Sequence, residues 1–157
     1  MEVFGKPTIN PIVFFSGKIF GYILWLIQFL MIIGFEIIER KYFFYNHQIS
    51  FVILAIAAFF VVISLINLGR STRFGIPTNE TLFKTSGLYK ISRNPMYIGI
   101  NLLTISAMIY TLNLFGILIG IYSIFVYHLI ILSEEKFLEN RFGKQYSDYK
   151  NKVRRYF

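Results

Sequence analysis

Cysteine is absent from the 157 residues, which removes thiolate nucleophiles, disulfides and thiolate metal sites from the chemistry open to the chain. Histidine is nearly absent. His47 and His128 are the only two and lie far apart, so no histidine metal cluster is expected and the metal ligand set is read as none. Charge is scarce as well, at 15% of residues against about 25% in an ordinary soluble domain. Acids are the rarer sign, 8 against 16 Lys and Arg, for a net charge of +8. What the chain has in excess is apolar surface: 55% hydrophobic residues, with 18 Phe and 11 Tyr. A domain of this size cannot hide that much from water, and the solvent it suits is a bilayer.

A crossing needs roughly 20 consecutive apolar residues. Residues 19–38 supply one, with Gly21 and Gln28 as its polar interruptions and Lys18 just before it, placed to snorkel. Residues 49–68 supply a second without any charge. The apolar tract 97–132 is too long for one helix at the ordinary rise per residue. Thr111, Asn113 and Gly116 put turn chemistry near its middle, so helices over 95–110 and 115–135 form a tight hairpin. The fold class is all-α: a polytopic membrane helix bundle of about four transmembrane helices in a single domain, 1–157, with residues 136–157 as a cytoplasmic C-terminal helical cap.

Basic residues orient this bundle. Arg70, Arg73, Lys84, Lys90 and Arg93 flank the middle loop against Glu80, and Lys136, Arg141, Lys144, Lys150, Lys152, Arg154 and Arg155 follow the last helix. Arg40 and Lys41 are the only cations between the first two helices. The positive-inside rule then puts the middle loop and both termini in the cytoplasm of a multi-pass protein of the cell membrane. Topology and anionic headgroups account for the positive charge, so no nucleic-acid partner is expected.

The polar residues collect where the hairpin opens. Asn94 before Pro95 reads as an N-cap followed by proline at the first helical position. At the other end of the hairpin, Glu134 and Glu135 stand where the apolar helix reaches water, and helical spacing aligns His128 with Glu135 and Tyr127 with Glu134. After Glu139 aromatic and basic residues alternate, with Gly143 permitting a turn. That tail either rests on headgroups or folds back and closes a pocket against Arg93, Asn94 and the two glutamates. The set suits a small mixed-charge ligand: helix N–H groups and Arg93 for an anion, Glu134 or Glu135 for an ammonium or hydroxyls, and Tyr97, Tyr146 and Tyr149 for stacking. Asn67 and Arg70, three residues apart at the end of the second helix, are placed with Arg73 to meet a lipid head. Glu36 falls at the opposite end and is left out of the catalytic group, and Gln28 suits another helix as readily as a substrate.

The stretch "GLYKISRNPMYIG", followed across the hairpin by "SEEKFLENRFGKQYSDYKNKVRRY", resembles the isoprenylcysteine carboxyl methyltransferase and phospholipid methyltransferase superfamily of integral-membrane enzymes. The resemblance covers about residues 69–156. It implies S-adenosylmethionine as cofactor, held by Arg93, Asn94, Pro95, Tyr97, Gly99, Glu134 and Glu135, with Tyr146, Tyr149 and Arg154 closing the site. Arg93, Glu134 and Glu135 are the catalytic candidates, and Asn67, Arg70, Arg73 and Arg154 the acceptor-binding ones. Where the family frequently has His, this chain has Asn94, which keeps an amide donor but no imidazole acid or base. The implied acceptor is a membrane lipid or prenylated small molecule, first of all a carboxylate, which needs no general base; an amine would need Glu134 or Glu135. Competing readings are a nicotinamide-dependent reductase of a sterol or isoprenoid, and a membrane scaffold or transport component.

Overall fold

The computed structural model describes residues 9–39, 41–69, 83 and 85–157. Arg70 and Arg73 therefore lie outside the described residues, as do Glu80 and Lys84. Among the described residues the chain is helical, with no strand: α1 Pro11–Ile32, α2 Asn46–Leu68, a short 3-10 turn Gly87–Lys90, α3 Pro95–Thr111, α4 Leu114–Phe142 and α5 Lys144–Lys152. Of these, α1, α2 and α4 are long and apolar enough to cross a bilayer, and α3 is a shorter apolar helix of 17 residues. The helical membrane bundle expected from composition is what the chain forms.

Helix boundaries follow local capping rather than hydropathy. α1 starts at Pro11, eight residues before the expected 19, because the Asn10 side chain accepts the Ile12 N–H at 2.9 Å and Pro11 needs no hydrogen-bond partner for its nitrogen. It ends at Ile32 rather than 38, where Gly34 takes a positive φ of 104°. The hairpin turn falls where the sequence puts it. Leu112 turns the chain in the left-handed region, and the Asn113 side chain accepts from Phe115 and Gly116 N–H at 3.0 and 3.3 Å. α4 runs on past the expected 135 to Phe142, and Gly143, with φ 50°, breaks it from α5.

α3 is central: it packs on α2, α1 and α4, while α1 also packs along α4. Small residues set the spacing. A Cβ on Gly99 would lie 2.9 Å from both Ala57 O and Val61 N of α2, so these backbones meet at the distance that only glycine allows. On α1, Gly17 and Gly21 face Val126 and Ser123 of α4 in the same small-xxx-small manner. About one turn in from the end where α1 and α3 finish and α2 begins, polar side chains join three helices: Gln28 Nε2 donates to Ser50 Oγ at 3.1 Å and Ser106 Oγ at 2.8 Å, and the two serines bond each other's carbonyls at 2.9 Å. Gln28 is thus a helix-joining residue, and in apolar surroundings such bonds are worth about 0.6 kcal/mol each.

The two ends of the bundle differ. At the far end, Asn46 Nδ2 reaches the carbonyls of Lys41, Ile109 and Tyr110 at 3.2–3.4 Å, Lys41 N–H donates to Thr111 O at 3.0 Å, and Asn113 Nδ2 donates to Glu39 O at 3.1 Å. At the mouth, where α3 begins and α4 ends, an apolar cluster of Phe14, Tyr97, Val126, Tyr127, Ile130 and Ile131 closes the core beneath the charged residues.

Candidate active site

The mouth is assembled from three pieces of chain: the entry to α3, the last turns of α4, and the segment that returns after α5. That segment is extended from Val153 and lies parallel to the α3 entry, with a bridge between Ser92 and Arg154 and a bond from Arg93 N–H to Arg154 O at 2.9 Å. The tail therefore folds back over the mouth. Its end is held by His128 Nδ1, 2.7 Å from the Tyr156 hydroxyl, and by Phe157 against Phe60 of α2.

Glu135 is the knot. Its Oε1 accepts from Arg93 Nε at 3.2 Å, Arg93 Nη2 at 3.0 Å and Asn94 Nδ2 at 3.0 Å; its Oε2 accepts from Arg93 Nη2 at 3.2 Å, Arg155 Nε at 3.1 Å and Arg155 Nη2 at 3.0 Å. The remaining Arg93 nitrogen, Nη1, donates to Lys150 O and Val153 O at 3.1 and 2.8 Å. All three nitrogens of the Arg93 guanidinium are thus engaged within the protein, and the side chain is 8% exposed. Such bidentate charged bonds are strong, and here they tie the α3 entry, the end of α4 and the returning segment together. Arg155, one third exposed, has its pKa pushed further up by its bonds to Glu135.

Asn94 does not act as expected. It precedes α3, but its side chain makes no cap; the amide turns to Glu135, and to Arg155 O at 3.4 Å. The buried carboxylate fixes the orientation of the amide through its Nδ2–H, and in that orientation the side-chain oxygen accepts from no N–H of the first turn, so the helix starts without a side-chain cap. Pro95 is fully buried beneath this knot, and Gly99 serves the contact with α2.

Glu134, the neighbouring acid, has a different environment. One helical step of about 100° turns it to the face shared with α3, where the Tyr97 hydroxyl donates to Oε1 at 2.8 Å. Its Oε2 accepts no hydrogen bond among the described residues, and the side chain is half-buried. The two glutamates are consecutive in sequence and opposite in commitment.

The tail tyrosines pack inward. Tyr146, 1% exposed, and Tyr149 stand 5.7 and 5.2 Å from the Phe83 ring, and the Tyr149 hydroxyl donates to Tyr89 O at 2.6 Å. Burial pushes the Tyr149 phenol up to about 12 and those of Tyr89, Tyr146 and Tyr156 upward too, so all four keep their protons at neutral pH. Arg154, expected to bind the acceptor, is exposed and contributes backbone; Arg155 contributes the guanidinium. In an extended segment adjacent side chains point to opposite sides, so one of the pair must face out, and the sequence signal was the doublet itself. Asn67 meets Gly87, and its Nδ2 is buried without a partner among the described residues. Lys18, expected just before the first crossing, lies inside α1, with its Nζ over the ring of Phe14, a member of the apolar cluster that includes Tyr97.

These features define an integral-membrane helix bundle with a charged mouth closed by its own C-terminal segment. The family model for phospholipid methyltransferase matches residues 45–145, from the start of α2 into α5, and the chain belongs to that family. Membership supports a methyltransferase that works on lipids from within a membrane. No curated protein and no solved structure matches the chain.

Proposed function

We propose that this chain transfers a methyl group from S-adenosylmethionine to the amine headgroup of a membrane lipid at the mouth, with both termini in the cytoplasm and the acceptor's tail left in the bilayer. The observation that carries the reading is the state of Glu134: it is a half-buried carboxylate inside the family-matched segment, oriented by Tyr97, with one oxygen open. A lipid carboxylate, the acceptor first expected from the resemblance, would face a like charge there, whereas an ammonium gains a partner.

The residues fit the cofactor's chemistry. The first turn of α3 has no side-chain cap, so its N–H groups and positive dipole end suit a carboxylate. When bound, S-adenosylmethionine supplies a methyl group already activated as a sulfonium. The protein's work is then to align, to dry and to take a proton. Alignment of reacting partners alone is worth about 7 to 11 kcal/mol in well-oriented pairs. The knot of Arg93, Glu135 and Arg155 fixes the α3 entry and the closing segment, which keeps the geometry and excludes water. An ammonium must lose a proton before its nitrogen can attack, and Glu134 Oε2 is the open acceptor for that proton.

Calorimetric titration of the detergent-solubilised protein tests the donor. We expect saturable binding of S-adenosylmethionine and S-adenosylhomocysteine and none of reduced nicotinamide dinucleotide phosphate; the reverse pattern would make the chain a reductase instead. Glu134→Gln should leave the unfolding free energy within about 1 kcal/mol of wild type while lowering methyl transfer to phosphatidylethanolamine at least about 100-fold, the range of a lost general base. Unchanged transfer would remove Glu134 from the chemistry.

A further inference from the structure

α1 lies outside the family-matched segment, yet it reaches the mouth. It brings a cation. Lys18 sits two turns inside α1, on the stripe that carries Phe14, Gly17 and Gly21 into the bundle, and is half-buried. Its Nζ lies 4.0 Å from the centre of the Phe14 ring. Phe14 belongs to the same apolar cluster as Tyr97, whose hydroxyl orients Glu134. Among the described residues Lys18 forms no hydrogen bond and no ion pair.

An ammonium held in a membrane helix on the bundle side is costly unless an anion answers it, and the ring face engages only one side of a group with three donors. Helical side chains lean toward the N-terminus, which aims Lys18 toward the mouth, where lipid phosphates lie. Going from Lys18 to Glu134 gives the order cation, then anion. A phosphoethanolamine head presents the complementary order, phosphate then ammonium, across a short carbon link.

Resting on the methyltransferase reading above, we propose that Lys18 is the residue that binds the acceptor lipid's phosphate, so that the ammonium is delivered to Glu134. Lys18 is then a specificity-determining residue: it admits heads that carry an anion one short link from the nucleophile. A prenylcysteine also offers an anion beside an amine, but as a carboxylate, and the two sources separate by assay.

The test uses the full chain in mixed micelles containing phosphatidylethanolamine in one arm and farnesylcysteine in the other, with Lys18→Gln and Lys18→Arg compared with wild type. The proposal expects Lys18→Gln to raise KM for phosphatidylethanolamine by about tenfold or more, the loss of one charged contact. It expects kcat and S-adenosylmethionine affinity to stay put, and Lys18→Arg to restore KM. Retention of phosphatidylethanolamine in native mass spectrometry should fall in parallel, a readout that needs no turnover. An unchanged KM and lipid retention in Lys18→Gln would overturn it. So would equal loss in Lys18→Arg, which would mean packing, or a penalty seen only with farnesylcysteine, which would mean a carboxylate site. Donor binding that survives while Lys18→Gln is silent sinks this proposal alone; absent donor binding in wild type sinks the methyltransferase reading.

Discussion

The far end and the mouth of the bundle solve the same problem, tying helix ends together at a membrane boundary, with different chemistry. At the far end, neutral amides do it: Asn46 and Asn113 satisfy backbone carbonyls of neighbouring segments. At the mouth, a buried carboxylate gathers two guanidinium groups and an amide. Neutral ties leave nothing for a ligand to use and cost little to desolvate. A charged knot is expensive to bury and is destabilising to break, yet it is the end at which the chain keeps an open acid. The contrast teaches that the buried charge of Arg93 and Glu135 is engaged within the fold, and on the proposed function Glu134 and Lys18 are the groups that meet the substrate.

Breaking the knot should have the largest effect. Glu135→Gln leaves two buried or half-buried cations short of an anion, and we expect about 3 kcal/mol of lost stability, read as a lowered thermal midpoint with faster amide exchange in residues 150–157. An undisturbed C-terminal segment would mean that the knot holds nothing. The far end should respond less. Asn46→Ala removes only neutral hydrogen bonds, about 1 to 2 kcal/mol, with exchange rising around Lys41 and Tyr110 and donor affinity unchanged. If it cost more than Glu135→Gln, the contrast between the ends would be wrong. Smallest is Gln28→Leu, about one turn in from the far end, at about 1 kcal/mol for its two bonds of about 0.6 kcal/mol each, because the bonds between Ser50 and Ser106 survive it; a loss several-fold larger in equilibrium unfolding would show that the three helices depend on Gln28 itself.

Two pairs of look-alike residues show how far the sequence could be read. Asn10-Pro11 and Asn94-Pro95 are the same start signal. The first caps its helix, although hydropathy alone places that start at residue 19; the second has the same pattern and makes no cap, because Glu135, remote in sequence, takes its amide. Likewise Arg154 and Arg155 are indistinguishable in composition, and only the pleat of an extended segment decides that Arg155 faces Glu135. The hairpin turn at Asn113, by contrast, was legible because its signal is local and its partners are the next residues.

The sequence by itself determined the solvent, the helical class, the hairpin and the end at which charge gathers, since each depends on composition or on neighbours within a turn or two. Tertiary structure alone decided which of two adjacent glutamates and which of two adjacent arginines is consumed by the fold. It also turned Lys18 from a flanking residue into a member of the mouth. The physical reason is that a charge's role depends on which opposite charges and donors lie within about 3 Å of it, and those come from α1, α3 and the C-terminal segment, brought together only by folding.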